Sequence, residues 1–255
     1  MPASYAHYRF GKLLLPSLPG DVRQCIQRFR RMYDTGLQGP DLFFYYNIFG
    51  KSAIGDLGKT FHRQSGREFF TRVCTQVDSE AAQAYLYGLL AHYCLDSVAH
   101  PFINQMVTIE EAVHAALESE FDRVLMEKDE IPSPHTYDRS KHIRLTRGEC
   151  MTVASFFPPA TGANINRCVK GMGLSLRFLS NTNRERTKKL TARFAPAQLD
   201  HMVPVEEIPD YGYMIGQLLE LYDQALARYP LQLQQLRQLQ KDGTELGSVF
   251  EATFG

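Results

Sequence analysis

QAYLYGLLAHYCLDSVAH, residues 83–100, decides the fold. Its first half is apolar all round, so a helix made of it has no face for water and must be enclosed by other helices. Its second half inserts His92, Asp96 and His100, each four residues after the last. An α-helix turns about 100° per residue, so this series drifts only about 40° per step and keeps to one stripe. Ionisable groups in an apolar interior are tolerated when they are paired or bind a metal. These three side chains therefore need partners from elsewhere in the chain.

Helical rise, about 1.5 Å per residue, puts the Cα atoms of His92 and His100 about 12 Å apart. Zinc–nitrogen bonds are only about 2.0–2.1 Å long, so one ion cannot take both rings, whereas two ions flanking the Asp96 carboxylate can. A lone His-x-x-x-Asp is ordinarily a hydrogen-bonded pair. Here a third donor follows four residues on, and His114 and Glu118 repeat the chelating spacing on the next helical segment. Upstream stand His7, Asp41 and His62, so five of the eight histidines join the candidate set. His135, His142 and His201 lie in polar stretches and are read as ordinary loop residues.

Composition narrows the function. With 255 residues and 44% hydrophobic, the chain can bury a full core, and it reads as a single domain, 1–255. Lys plus Arg equal Asp plus Glu at 28 each, so no global field draws it to nucleic acid or anionic lipid, and no stable nucleic-acid complex is expected. Five cysteines without a CxxC pair argue against a disulfide framework or a thiolate zinc site. They are read as reduced thiols filling the core. The opening MPASYAHYRFGKLLLPSLPG lacks a charged leader followed by an apolar core, which predicts a cytoplasmic protein. Residues 81–99 approach the length of a membrane span. However, an acid at mid-bilayer costs about 2.5–3.5 kcal/mol on insertion scales, so with Asp96 and His92 inside it a buried soluble helix is the better reading.

Period-two alternation bounded by hairpin turns does not recur, and the expected class is all-α, a multi-helix bundle around a buried metal cluster. Helices are predicted over 20–33, closed by TGLQGP, and over 66–76. The next runs from Ser79, as cap, to His100, where Pro101 should stop it. Another should open at Thr108 and carry Ile109, Val113, Ala116 or Leu117, Phe121 and Leu125 on one side until the prolines at 132 and 134. A short connection should pair these last two as an antiparallel hairpin. Further helices are expected at about 145–156, 163–180, 184–194, 211–228 and 230–241, with PSPHTYDRSK and RFAPAQLDHMVP as surface loops.

Four segments taken in order, GLQGPDLFFYY (36–46), FHRQSGREFF (61–70), YGLLAHYCLDSVAHPFI (87–103) and VHAALESEFDRVLM (113–126), resemble the zinc-dependent phospholipase C family. Its fold is shared with the single-strand-preferring zinc nucleases. The resemblance covers about residues 5–130 and leaves 131–255 as packing helices. It implies one zinc held by Asp41, His62, His92 and Asp96 and a second held by His100, His114 and Glu118. A third zinc in such enzymes lies between the counterparts of Asp96 and His7 and the amine and carbonyl of an N-terminal tryptophan. This chain has no tryptophan, and Met1 stands six residues before His7. The third site is thus open to three states: vacant, water-completed, or held by His7 and Asp96 alone. The Asp96-to-His100 spacing is also shorter than in the secreted enzymes, although four residues keep His100 on the stripe.

The implied chemistry is phosphodiester hydrolysis of a small molecule or phospholipid, with Asp41 both ligand and proton acceptor. A nuclease on the same scaffold is the nearest rival, weakened by zero net charge. A di-iron bundle normally needs two Glu-x-x-His motifs, and only Glu111 to His114 is present. An HD-type phosphohydrolase lacks its His-Asp dipeptide here, and a catalytically silent, metal-stabilised binding protein remains open. FFYYNIF, 43–49, reads as core packing or a cage for a choline-like head group. NRERTKKLTAR, 183–193, reads as an exposed helix face or a peripheral contact with phosphate or lipid. No transmembrane segment is expected.

Overall fold

The computed structural model describes residues 4–47, 50–110, 113–180 and 208–255. Among the described residues there are ten α-helices, short 3₁₀ turns and no strand, so the chain is all-α. The helices are α1 (Ser4–Leu14), α2 (Gly20–Arg28), α3 (Arg30–Gly36), α4 (Ala53–His62), α5 (Gly66–Cys74) and α6 (Glu80–Ile109), followed by α7 (His114–Lys128), α8 (Arg147–Phe156), α9 (Gly162–Leu179) and α10 (Gly212–Asp242). No helix of the described residues is long and apolar enough to cross a membrane. All five cysteines are free.

The axis of the fold is α6. Ser79 caps it, accepting from the Ala82 N–H at 3.2 Å, and every residue from Ala84 to Ala99 is buried. Helices α1, α2, α3, α7, α8 and α10 all pack on it. The α3 crossing is made close by two glycines: a Cβ on Gly88 would lie 2.2 Å from the Tyr33 carbonyl oxygen, and one on Gly36 would lie 2.5 Å from that of Tyr85. The backbones meet where side chains would have held them apart.

Four helix boundaries differ from those the sequence predicts. Pro101 does not end α6, which runs on to Ile109. Proline inside a helix costs about 3 kcal/mol, but the extra turns bury Ile103 and Met106, each worth about 1.5–3 kcal/mol, and burial wins. Pro230 likewise lies inside α10 rather than between two helices, and the turns beyond it bury Leu233 and Leu236. Thr108 does not open α7. Its hydroxyl donates to the Asn104 carbonyl within α6, and α7 starts at His114, leaving Ile109 63% and Val113 41% exposed. Ala116, Leu117, Phe121 and Leu125 are buried as expected. Finally, residues 20–33 are not one helix. The backbone leaves helical geometry at Phe29 (φ −118°, ψ 45°), and the bend lets both Val22 with Ile26 and Met32 with Tyr33 reach the core.

Two helices that carry site residues, α1 and α4, have no counterpart in the predicted set. The loop PSPHTYDRSK is not wholly at the surface: Arg139 is buried, with its guanidinium 3.2 Å from Asp122. The predicted helix 184–194, the basic stretch 183–193, the loop RFAPAQLDHMVP with His201, and Glu111 lie outside the described residues.

Candidate metal centre

Each donor reaches the site on an element whose placement has a local cause. Asp122 of α7 caps α1, its carboxylate accepting from the backbone N–H of Tyr5 (3.0 Å) and Ala6 (2.8 Å), and this sets His7 one residue further on against α6. Asp41 sits in a 3₁₀ turn, Gly39–Tyr45, entered through Gly39 at φ +47°. A Cβ there would lie 2.3 Å from the His92 ring, so glycine is required both by the backbone and by the space. His62 closes α4, whose first turn is capped by Ser52 accepting from the Gly55 N–H. His92, Asp96 and His100 share the α6 stripe, and His114 and Glu118 begin α7.

The Asp96 carboxylate stands at the centre. On one side Oδ2 lies 3.0 Å from His92 Nε2 and 3.9 Å from His62 Nε2. On the other, Oδ1 lies 3.2 Å from His7 Nε2 and 3.5 Å from His100 Nδ1. His62 Nε2 is 2.9 Å from Asp41 Oδ1. Beyond His100, Glu118 Oε1 is 3.7 Å from His100 Nε2 and 3.1 Å from His114 Nε2. Donor atoms of His7, Asp41, His92 and Asp96 lie within 4.8 Å of one another, as do those of His100, His114 and Glu118. His62 joins the first group at one side, through Asp41 and Asp96. The His7 ring stacks on His92 with centroids 4.3 Å apart and is buried, so it belongs to the cluster.

These residues fit a divalent cation better than a hydrogen-bonded network. Two donors on a tetrahedral zinc stand about 3.3 Å apart, given bonds of about 2.0–2.1 Å, and the separations above bracket that value. Although His92 Nε2 and Asp96 Oδ2 are 3.0 Å apart, neither makes an aligned hydrogen bond, and Asp41 Oδ2 and His100 Nδ1 are buried without one. Buried nitrogen and oxygen atoms left without an aligned hydrogen bond are what a cation would satisfy. The outer supports are present too. His92 Nδ1 faces the Leu37 carbonyl at 3.2 Å and His62 Nδ1 the Gly58 carbonyl at 2.6 Å, which leaves Nε2 of each ring free to ligate.

Without a cation, the carboxylates draw protons onto the rings instead. Burial alone would raise the Asp96 carboxyl, yet the His92, His100 and His7 rings hold it well below the usual carboxylate range. Burial would lower His100, but Asp96 and Glu118 carry it up to about 9. His7 and His62 are raised against burial by Asp96 and Asp41. Glu118 is held low against burial, with the His100 and His114 rings beside its carboxylate.

A cavity of about 340 Å³ opens over the centre. Asp41, His62, His100, His114 and Glu118 line it together with Phe44, Lys59, Arg63, Asn104 and Gly255. Of those last five, Phe44 falls in the FFYYNIF stretch singled out in the sequence, and the other four do not. Lys59 and Arg63 had a legible signal, flanking His62 at positions four apart, whereas nothing local marks Gly255. Its N–H donates to the His62 carbonyl at 3.2 Å, while the preceding Phe254 is buried against Phe69 and Tyr93. Of the predicted aromatic cage, Phe43 and Tyr45 are core residues, and residues 48 and 49 lie outside the described set. His142 stacks on Tyr8 (4.1 Å), away from the centre, and the side chain of His135 lies outside the described set.

An all-helical protein whose central buried helix holds one carboxylate between two groups of histidine and acid donors is, by class, a helical protein with a candidate metal centre. The profile of the zinc-dependent phospholipase C family matches residues 6–157, more than half of the chain, and the chain belongs to that family. Neither a curated protein nor a solved structure matches it.

Proposed function

We propose that the protein hydrolyses a phosphodiester of phospholipid type, with water displacing the glyceryl oxygen from phosphorus to give a diacylglycerol and a phosphorylated head group. The observation that carries this reading is Asp96 lying between two donor groups, one oxygen turned to each, under a cavity of about 340 Å³. Zinc would be held on one side by Asp41, His62, His92 and Asp96, with His7 beside Asp96, and on the other by His100, His114 and Glu118. Bound there, it supplies Lewis acidity toward phosphoryl oxygens and a lowered pKa for water.

The remaining work falls to the chain. Asp41 is buried, with Oδ1 engaged by His62 and Oδ2 without a hydrogen bond. That free oxygen can accept the proton lost by the attacking water. The carbonyls of Leu37 and Gly58 fix the tautomers of His92 and His62. The three ligands of the second group leave room for substrate.

Asp41→Asn tests the assignment, because it keeps the shape and an oxygen donor but removes the base. Turnover of a phosphodiester should fall by about 10²–10⁴-fold while elemental analysis finds metal content near that of the unmodified protein. Undiminished hydrolysis in that variant would favour a purely structural role for the metals.

A further inference from the structure

We propose that the head group accepted by the cavity carries a second anionic group, a phosphate or carboxylate, and that Lys59 and Arg63 hold it. This rests on the phosphodiesterase reading of the same site. The acids and imidazoles of the cavity wall belong to the donor groups, which leaves Phe44, Lys59, Arg63, Asn104 and Gly255 to meet the rest of a substrate. Two of these five are cations. They stand four residues apart at the end of α4, with Arg63 continuing in right-handed helical geometry (φ −85°, ψ −10°), so both project from one stripe beside His62.

Among the described residues neither cation is held in a close ion pair. Arg63 makes no ion pair among the described residues. Lys59 approaches Asp56 only to 3.9 Å, with both side chains about two-thirds exposed (67% and 61%), and such a contact contributes about 0–1 kcal/mol. A guanidinium fork next to an ammonium is suited to phosphate or carboxylate oxygens.

A quaternary ammonium head group finds the opposite. It needs several aromatic faces, and among the described residues the cavity offers one phenyl ring, Phe44, which already leans on His62 with centroids 5.4 Å apart. The neighbouring Tyr46 ring lies under the Arg167 guanidinium at 4.5 Å. Two positive side chains at the rim repel a third cation, which is discrimination by charge. Asp41 and Glu118, the acids that would otherwise draw it in, face the donor groups.

The test uses the full-length, zinc-loaded protein. Phosphatidylcholine and phosphatidylinositol 4-phosphate are compared in mixed micelles, each beside its deacylated, water-soluble form. Bis(4-nitrophenyl) phosphate serves as a diester with no second anion. The expected kcat/KM is at least about tenfold higher for the phosphoinositide in both physical forms, and the ratio collapses in the Lys59→Gln/Arg63→Gln double variant. Calorimetry gives a readout free of turnover: inositol 1,4-bisphosphate should bind at least about tenfold more tightly than phosphocholine, and the difference should vanish in the same variant.

Equal or better cleavage of phosphatidylcholine overturns the inference, as does a ratio that survives the double variant. So does a preference confined to micelles, which would report surface charge, or cleavage of a single-stranded oligonucleotide alone. Turnover of the nitrophenyl diester without head-group preference sinks this inference and leaves the phosphodiesterase reading standing. If no diester is cleaved, that reading fails, and the binding comparison still decides this one.

Discussion

Removing the metal should reverse the way stability responds to pH. In chelated protein the His100 proton is stabilised by Asp96 and Glu118, and its pKa stands at about 9 against 6.5 for a free histidine. A folded-state pKa above the unfolded one means that the stabilisation is complete below pH 6.5 and is lost as pH rises through 9. Between pH 6.5 and about pH 8.5 the folded state holds, on average, nearly one more proton than the unfolded chain, which amounts to about 2 kcal/mol lost. For a chain of this size that is a fall in Tm of about 4–8 °C. His7 and His62, also raised, act in the same direction. Cys74 and Cys168, pushed up to about 12 by burial, add the same sign only where free thiols ionise, near 9.0, so the window ends below that. In zinc-loaded protein the same imidazoles must be unprotonated to ligate. The folded state then carries no such protons, and stability is flat or rises by a few tenths of a kcal/mol per histidine over the window. Scanning calorimetry at several pH values, with zinc and with chelator, reads both curves. Two curves that fall in parallel would refute the reasoning, because the histidines would then hold protons whether or not metal is present.

Three further outcomes follow from single positions. Gly39→Ala puts a Cβ 2.3 Å from the His92 ring at φ +47°, so we expect a loss of about 1–3 kcal/mol of stability and weaker metal binding, read by urea unfolding and a zinc titration. Wild-type zinc affinity in that variant would contradict the placement of His92. Phe254→Ala empties a fully buried site between Phe69 and Tyr93, with ring centroids at 5.0 and 4.9 Å. It should cost about 3–5 kcal/mol in urea unfolding, unless the strap 252–255 contributes nothing. His142 is kept neutral by burial and by the Arg30 and Arg139 charges, which push its pKa down to about 3. A depressed histidine makes stability fall as pH drops from 6.5 toward 3, by up to about 1.4 kcal/mol per pH unit. His142→Phe, which keeps the stack on Tyr8, should make that acid slope shallower by one proton.

What could be read from the chain was local periodicity. The apolar run into His92-x-x-x-Asp96-x-x-x-His100 fixed both the buried helix and the stripe of donors, and His114 with Glu118 followed from the same spacing. The helices carrying His7 and His62 were not among those expected, although Ala6, Phe10 and Leu14, and Ile54, Leu57 and Phe61, stand at helical spacing: the two helices are only 11 and 10 residues long, so each stripe is short. The α1 helix is set by Asp122, 116 residues away from the Ala6 N–H it accepts. Such a cap leaves no mark in the neighbouring sequence. The histidine tautomers were equally hidden, since their acceptors are backbone carbonyls, and every residue supplies one. Gly255 reaches the cavity only because Ala252 and Thr253 pair with Gly66 and Ser65, a register that no pattern near the end of the chain announces.

The two misplaced helix ends share a cause, and one of them bears on the site. Local rules count the hydrogen bond that proline removes but not the side chains that later turns bury, and at Pro101 and Pro230 the second quantity is larger. Had α6 stopped after His100, Asn104 would have left the cavity wall, and Ile103 and Met106 would have lost their places in the core. The continuing helix also carries the chain past the centre before α7 starts, so that His114 and Glu118 return to face His100 rather than following it along the same axis. Two donor groups around one carboxylate therefore depend on the helix persisting through its proline. A change that weakens it there, such as Ile103→Gly, should reduce metal binding at His100, His114 and Glu118 in a zinc titration without touching any of the three.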